Sequence, residues 1–217
     1  MPRESAEDKL IRMTEIETEI VSARGISRIA GMDEVGRGPL AGPVVTACVC
    51  VPLGRLVPGV DDSKKLSEAR REALYPKLLA AASYAKTAWV PPEIIDEINI
   101  LNATKRAMEE CAAEFDGGII LVDAVEGLRL PVESRSIVRG DAVSYMIAAA
   151  SVVAKVERDR YMIALDEQYP QYGFRRNKGY GTAEHIRALR EYGPCPAHRR
   201  SFIGGILGGT PNKKGGC

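Results

Sequence analysis

The chain has 217 residues, 45% hydrophobic and 27% charged, with a formal net charge of +1, a composition that belongs to a folded globular protein and excludes a disordered or fibrous one. No uninterrupted apolar run is long enough to span a bilayer, and the charged start "MPRESAEDKLIRMTEIETEI" lacks the apolar stretch of a secretory signal. The near-zero balance hides an asymmetry: residues 1–128 carry 15 Lys/Arg against 21 Asp/Glu, whereas residues 168–217 carry nine basic and two acidic side chains.

In chain order, Leu10, Met13, Ile16 and Ile20 share one face of a short N-terminal helix. "ISRIAGMDEV" and "PVVTACVCV" read as strands, joined by the loop "GRGPLAG" with its glycines and proline. Ser67 marks the N-cap of a helix inside residues 60–82. "YAKTAWV" is a third strand ended by Pro91 and Pro92, and "EIIDEINILNATKRAMEECAAEF" is mostly helical. After Gly117 and Gly118, the apolar "IILVDAV" has the texture of a central strand, ending in Asp123. "SRSIV" is a fifth strand, followed by "RGD" and a long alanine-rich helix from Val143 to about Gln168. Beyond it aromatic, glycine and basic residues alternate, the stretch where a polyanion contact is expected unless it is only a solvated basic surface. The last residues, "GGILGGTPNKKGGC", offer no core. This order predicts an α/β fold, a mixed five-stranded sheet flanked by helices with a small C-terminal helical region. The expected divisions are a helical extension 1–25, a sheet domain 26–168, a helical region 169–204 and a flexible tail 205–217.

The cysteines (48, 50, 111, 195 and 217) form no C-x-x-C pair, and a reduced, cytoplasmic compartment is expected. His185 and His198 are not spaced as zinc ligands, and neither a P-loop nor a G-x-S-x-G elbow occurs.

The acidic residues are placed more tellingly. Asp33 and Glu34 end the first strand, Asp123 ends the fourth, and Asp141 follows the fifth at a helix start. Carboxylates at the ends of neighbouring strands converge on one sheet edge, and four there repel one another unless a cation sits among them. Mg²⁺ or Mn²⁺ suits such all-oxygen ligation, and two ions roughly 3.5–4 Å apart can clamp both oxygens of a phosphodiester displacement. Plainer readings stand beside this one: Asp141 as a helix N-cap, Asp123 as a turn cap. Asp33 and Glu34 are harder to explain away, since strands disfavour both.

An ordered series of segments, "GMDEVGRGPLAGPVV", "DDSKKLS", "NILNATKRAM", "LVDAV", "IVRGDAVSYMIAAASVVAKVERDR", "YPQYGFRRNKGYGTAEH" and "GPCPAHRRSF", resembles the ribonuclease HII family from about Ile29 to Phe202. The type HIII enzymes would carry a Ser-Gly-Lys version of the first block. The resemblance implies an RNase H-like fold and metal-dependent endonuclease action on RNA within RNA–DNA hybrids. It also implies cleavage 5′ of a single ribonucleotide in duplex DNA, giving 5′-phosphate and 3′-OH ends. Its catalytic carboxylates match Asp33, Glu34, Asp123 and Asp141. Asp33 and Asp141 would serve a water-positioning Mg²⁺ or Mn²⁺ ion, and Asp33 and Asp123, with Glu34, a second near the leaving oxygen.

The resemblance also assigns Gly36, Arg37 and Gly38 to the ribose 2′-OH, and Tyr180 to the deoxyribose that follows the ribonucleotide. Ser63, Lys64, Lys178, His185, Arg199 and Arg200 are implied to contact phosphate or brace loops. Arg139 stands where the family usually has lysine, Asn177 where histidine is common, and Ala124 where glycine is frequent. A monomer is expected, and the sequence shows no sliding-clamp motif. The rival readings are another nuclease of the same fold, of resolvase or transposase type, and a non-catalytic nucleic-acid-binding module.

Overall fold

A computed structural model describes residues 5–208; the last nine residues of the expected tail lie outside it, and residues 205–208 form turns. Five strands, β1 (Ile29–Val35), β2 (Val44–Cys50), β3 (Tyr84–Val90), β4 (Ile119–Asp123) and β5 (Glu133–Ile137), form one sheet in the order β3-β2-β1-β4-β5. The β1–β2 and β2–β3 pairs are antiparallel, and β4 runs parallel to β1 and β5. The sheet is therefore mixed, as expected.

The period-2 alternation of the strands divides the core between two faces. Ile29, Ala47, Val49, Ile119 and Leu121 face the long helix α6 (Tyr145–Gln168), with α3 (Glu68–Ala81) and the N-terminal helices. Ala30, Met32, Cys48, Ile120 and Val122 face α5 (Ile100–Ala112). The short β5 is an exposed edge carrying Glu133 and Arg135, a composition that discourages further strand pairing. A third cluster, including Met162, Leu165, Tyr172, Phe174 and Leu189's neighbour Ala188, joins the C-terminal segment to the end of α6.

Several expected elements are subdivided. The N-terminal helix is two, α1 (Ala6–Met13) and α2 (Glu15–Arg24), parted at Thr14, whose hydroxyl donates back to Leu10 O at 2.9 Å. Residues 93–115 divide into α4 (Pro92–Ile98) and α5, because Asn99 takes φ +67 and turns its side chain to cap Asn102 N–H. Pro92 opens α4 at a position where its missing N–H costs nothing. The long helix starts at Tyr145, with Ser144 as its N-cap, so Asp141 lies in the preceding turn and is not a helix cap. The C-terminal region holds the short α7 (Phe174–Asn177), α8 (Ala183–Tyr192) and the short α9 (Arg200–Ile203).

The tightest packing is between α6 and β1. A Cβ built on Gly31 would lie 1.9 Å from the carbonyl carbon of Met146, so helix and strand backbones meet directly. Gly31→Ala should therefore destabilise the fold by about 3 kcal/mol, at the upper end of overpacking costs. Urea unfolding followed by circular dichroism measures this, and a parent-like midpoint would contradict the contact.

Candidate active site

The sheet register builds the site. Met32 pairs with Val122 across β1 and β4, so Asp33 and Asp123, one residue on, lie side by side where that pairing stops. Asp123 pairs with Ile137 of β5, and the chain beyond turns tightly through Gly140–Ala142, returning Asp141 to the same edge. One carboxylate oxygen from each of Asp33, Asp123 and Asp141 lies within 4.8 Å of the others. Asp33 and Asp141 are buried and Asp123 is half-buried.

Local hydrogen bonds hold the group. Glu34 N–H donates to Asp33 Oδ1 at 2.8 Å, Gly140 N–H to Asp123 Oδ1 at 2.7 Å, and Lys64 Nζ to Asp141 Oδ2 at 3.0 Å. Burial pushes the Asp33 carboxyl well above its ordinary range; the charges of Glu34 and Asp123 add to this, and hydrogen bonds from Ser151 and Glu34 N–H oppose it. Asp123 is raised by burial too, against the Gly140 hydrogen bond and with help from Asp141. Partial burial works against the charge of Lys64, but Asp141, Asp33 and Asp62 outweigh it and push the ammonium up to about 12. Crowded, desolvated carboxyls of this kind accept a hard cation readily, since it supplies the counter-charge they lack.

Glu34, the fourth expected carboxylate, is outside this group. Its pKa is raised by burial and pulled back by Arg37, whose Nη1 lies 3.6 Å from Glu34 Oε1. Two residues beside the cluster, Ala124 (φ +48) and Arg139 (φ +56), adopt left-handed backbone that costs a side-chain-bearing residue about 1 kcal/mol or more.

The Gly36-Arg37-Gly38 loop continues directly from β1. Gly36 has φ +94, and a Cβ there would lie 2.3 Å from Arg158 Nε and 2.7 Å from Pro43 O, so only glycine fits. Arg37 and Gly38 are exposed, and the Cβ position of Gly38 is 3.8 Å from the Tyr180 ring, itself 43% exposed. Loop and tyrosine are thus neighbours.

Two fully buried arginines hold them there. Arg199 Nη2 donates to Gly36 O at 2.6 Å, its Nη1 to Arg37 O at 3.0 Å and its Nε to Gly42 O at 3.0 Å. Arg158 donates to Pro43 O, Lys178 O and Ala41 O at 2.9, 2.9 and 3.1 Å. Burial lowers Arg158 to about 10 and Arg199 to about 9, so both stay charged at neutral pH. Behind Tyr180, Cys195 N–H donates to His198 Nδ1 at 3.1 Å. With Nδ1 an acceptor, His198 Nε2 donates to His185 Nε2 at 3.0 Å, and His185 Nδ1 to Tyr180 O at 2.9 Å, both rings being neutral.

For three of the residues expected to contact phosphate or brace loops, the placement is that of a brace. Arg199 and His185 are fully buried, Arg199 committed to main-chain carbonyls and His185 to Tyr180 O and the His198 ring; Ser63 is buried with its hydroxyl 2.6 Å from that of Ser151. As placed they brace loops and do not reach a phosphate. Lys64, Arg139 and Arg200 are exposed, and Lys178 is partly so, its Nζ donating to Arg175 O at 2.6 Å.

The family model for ribonuclease HII matches residues 30–204. The chain belongs to the ribonuclease HII family. It is 51% identical over 187 residues to "Ribonuclease HII" of Caldanaerobacter subterraneus subsp. tengcongensis, covering 85% of this chain and 78% of that protein. It is 46% identical over 198 residues to "Ribonuclease HII" of Ruminiclostridium cellulolyticum, covering 90% and 77%. Among solved structures, the ribonuclease H2 from Pyrococcus horikoshii OT3 aligns with a TM-score of 0.71 at 26% identity, over 83% of this chain and 97% of the other. The protein is accordingly a ribonuclease H, and its five-stranded sheet has the architecture expected of that family.

Arg158 and His198 brace the glycine loop and the Tyr180 segment, a role the sequence did not assign to them. A signal existed for Arg158: it shares the stripe Ser151, Ala154, Met162 and Leu165, all buried, so a charge interrupts a core face. His198 has Cys195 as a partner three residues away, but its link to the Tyr180 segment runs through His185, thirteen residues before it.

The histidine pair makes stability pH-dependent. His198 is held down to about 4, by burial and by His185, from the ordinary 6.5; His185 is also lowered by burial. Between about pH 6.5 and about pH 4 the unfolded chain binds protons that the folded chain refuses. The histidine contribution is therefore complete above that window and lost as the pH falls through it. Urea midpoints at about pH 7 and about pH 5 should show a smaller drop in His198→Asn than in the parent; equal drops would contradict the buried neutral pair.

Proposed function

We propose that this ribonuclease H is a divalent-metal-dependent endonuclease that cuts the RNA strand of RNA–DNA hybrids. In duplex DNA it cuts 5′ of a single embedded ribonucleotide, leaving 5′-phosphate and 3′-OH ends, which suits ribonucleotide excision and primer removal. The observation that carries this reading is the Asp33–Asp123–Asp141 cluster, its oxygens within 4.8 Å on one sheet edge beside a glycine loop that only glycine can form at Gly36.

The donors are all carboxylate oxygens, which fits Mg²⁺ or Mn²⁺ and disfavours softer ions. Asp33, Asp123 and Asp141 would hold the metal, with Glu34 standing next to them against Arg37. Bound there, two such ions would activate water and stabilise the leaving oxygen.

The remaining steps belong to the chain's own residues. Arg199 occupies the carbonyls of Gly36 and Arg37, which leaves the loop its N–H groups to offer a 2′-hydroxyl oxygen, the atom that distinguishes RNA from DNA. Arg37, exposed next to Glu34, is available to a phosphate. The Tyr180 ring, beside Gly38, would pack on the deoxyribose following the ribonucleotide. Lys64, Arg139, Lys178 and Arg200 would line the duplex backbone without reading sequence. In this reading residues 26–168 carry the chemistry and 169–204 the duplex contacts, and the enzyme works as a cytoplasmic monomer. Among the described residues no helix is long and apolar enough to cross a membrane.

The deciding experiment uses a DNA duplex with one ribonucleotide, an all-DNA control, and Mg²⁺ or Mn²⁺ with and without chelator. Cutting confined to the ribonucleotide and abolished by chelator is expected; equal cutting of both duplexes would refute the reading. Asp33→Asn should lose turnover and keep most of its duplex affinity in gel-shift titration. Tyr180→Ala should lose more activity on the single-ribonucleotide duplex than on a long hybrid, and equal losses would remove the tyrosine from junction sensing.

A further inference from the structure

We infer that Glu17, on a helix outside the residues that match the family, is a positioning residue for the Asp141 turn. The inference rests on Asp123 and Asp141 belonging to the metal-binding cluster.

Glu17 sits on the apolar stripe of the N-terminal helices, between Met13 and Ile20, and is fully buried. Burial raises its carboxyl, and a buried carboxyl is costly unless its bonds do something. Oε1 accepts from Ser144 Oγ at 2.6 Å and from Met146 N–H at 3.0 Å. Those groups are the N-cap and first turn of α6, which has no acidic residue of its own in that turn. Ser144 caps Ile147 N–H, and the carboxyl of a remote helix serves the Met146 N–H and the positive end of α6 beside it.

From there the bonds lead into the site. Ser144 N–H donates to Gly140 O at 2.8 Å, and Gly140 N–H to Asp123 Oδ1 at 2.7 Å, with Asp141 next in the same turn. A second route starts on α1. Lys9 Nζ pairs with Asp61; Asp61 accepts from Asp62 N–H, and Asp62 from Lys64 N–H. Lys64 in turn reaches Asp141 at 3.0 Å. Arg12 Nη1 donates to Ala142 O at 3.4 Å between the two routes. The first ends on Asp123 and the turn that carries Asp141, the second on Asp141 itself, so α1 and α2 are part of what sets the cluster's geometry.

The test uses Glu17→Ala, Glu17→Asp and Glu17→Gln in the full chain. Mn²⁺ binding is measured by calorimetry without substrate, beside steady-state hydrolysis of an RNA–DNA hybrid, with circular dichroism to establish folding. Ala and Asp, which lack or withdraw the acceptor, should weaken Mn²⁺ binding and lower kcat by about tenfold while the hybrid KM stays unchanged. Gln keeps an acceptor at the same reach and should stay within about twofold of the parent on both readouts. A folded Ala or Asp variant with parental Mn²⁺ affinity and kcat would overturn the proposal, as would a Gln variant as impaired as Ala. If Ala fails to fold, Asp decides. The underlying metal reading fails separately: parental Mn²⁺ binding by Asp141→Asn, or none by the parent, would overturn that reading regardless of the Glu17 variants.

Discussion

Helix α6 lies so close to β1 that Gly31 leaves room for no side chain between the strand and the backbone of Met146, and everything at the site is referenced to that contact. Ser144, Ser151 and Arg158 recur every seven residues and so share one face of the helix. Ser144 fixes the turn that carries Asp141, Ser151 favours the ionised form of Asp33, and Arg158 anchors the chain after the glycine loop. One rigid element therefore sets three distances that the chemistry needs together. A helix held a side chain's width further away would loosen all three at once.

Two kinds of buried charge sit along that helix, and their accounting differs. The carboxyls are crowded and desolvated, so their ionised form awaits a positive partner that the described residues supply only in part through Lys64. The guanidiniums of Arg158 and Arg199 face no carboxylate in their hydrogen bonds; each is satisfied by three main-chain carbonyl groups. Removing one of them would strand those carbonyls, at roughly 1–3 kcal/mol for each left unpaired. The first arrangement is poised to bind and the second to stay still. The proposed function, which asks the site to attract ions and also to discriminate a single hydroxyl, would use both.

Much of this was legible in the residues. The five strands of a mixed sheet, and the convergence of Asp33 and Asp123, follow from apolar runs that end in acids, because pairing of central strands brings their ends together. The long helix was visible in its alanines. What escaped was decided by contacts between remote segments. The alternative of Asp141 as a helix cap stayed open because Ser144, three residues on, competes for the same role and wins only in three dimensions. Arg199 and His185 stood open between phosphate contact and loop bracing because basic residues in a basic segment usually face outward; the burial of Arg199 under the carbonyls of residues 36–42, and of His185 against Tyr172, Phe174 and His198, involves segments remote in sequence. Glu17 looked like one acid among several in a charged helix, since nothing near it in sequence announces α6 as its partner.

Arg158 and Arg199 also bear on how the proposed recognition would work. Arg158 takes carbonyls from both the 41–43 segment and Lys178, and Leu40 N–H donates to Gly179 O at 2.8 Å. The loop meant for the 2′-hydroxyl and the segment bearing Tyr180 are therefore one body, backed by the His185–His198 pair. A sugar on one side and its neighbour on the other would be judged against a fixed spacing, not by two loops closing independently. Discrimination of that kind comes from pre-organisation, because the cost of arranging the donors is met when the chain folds and not when substrate binds.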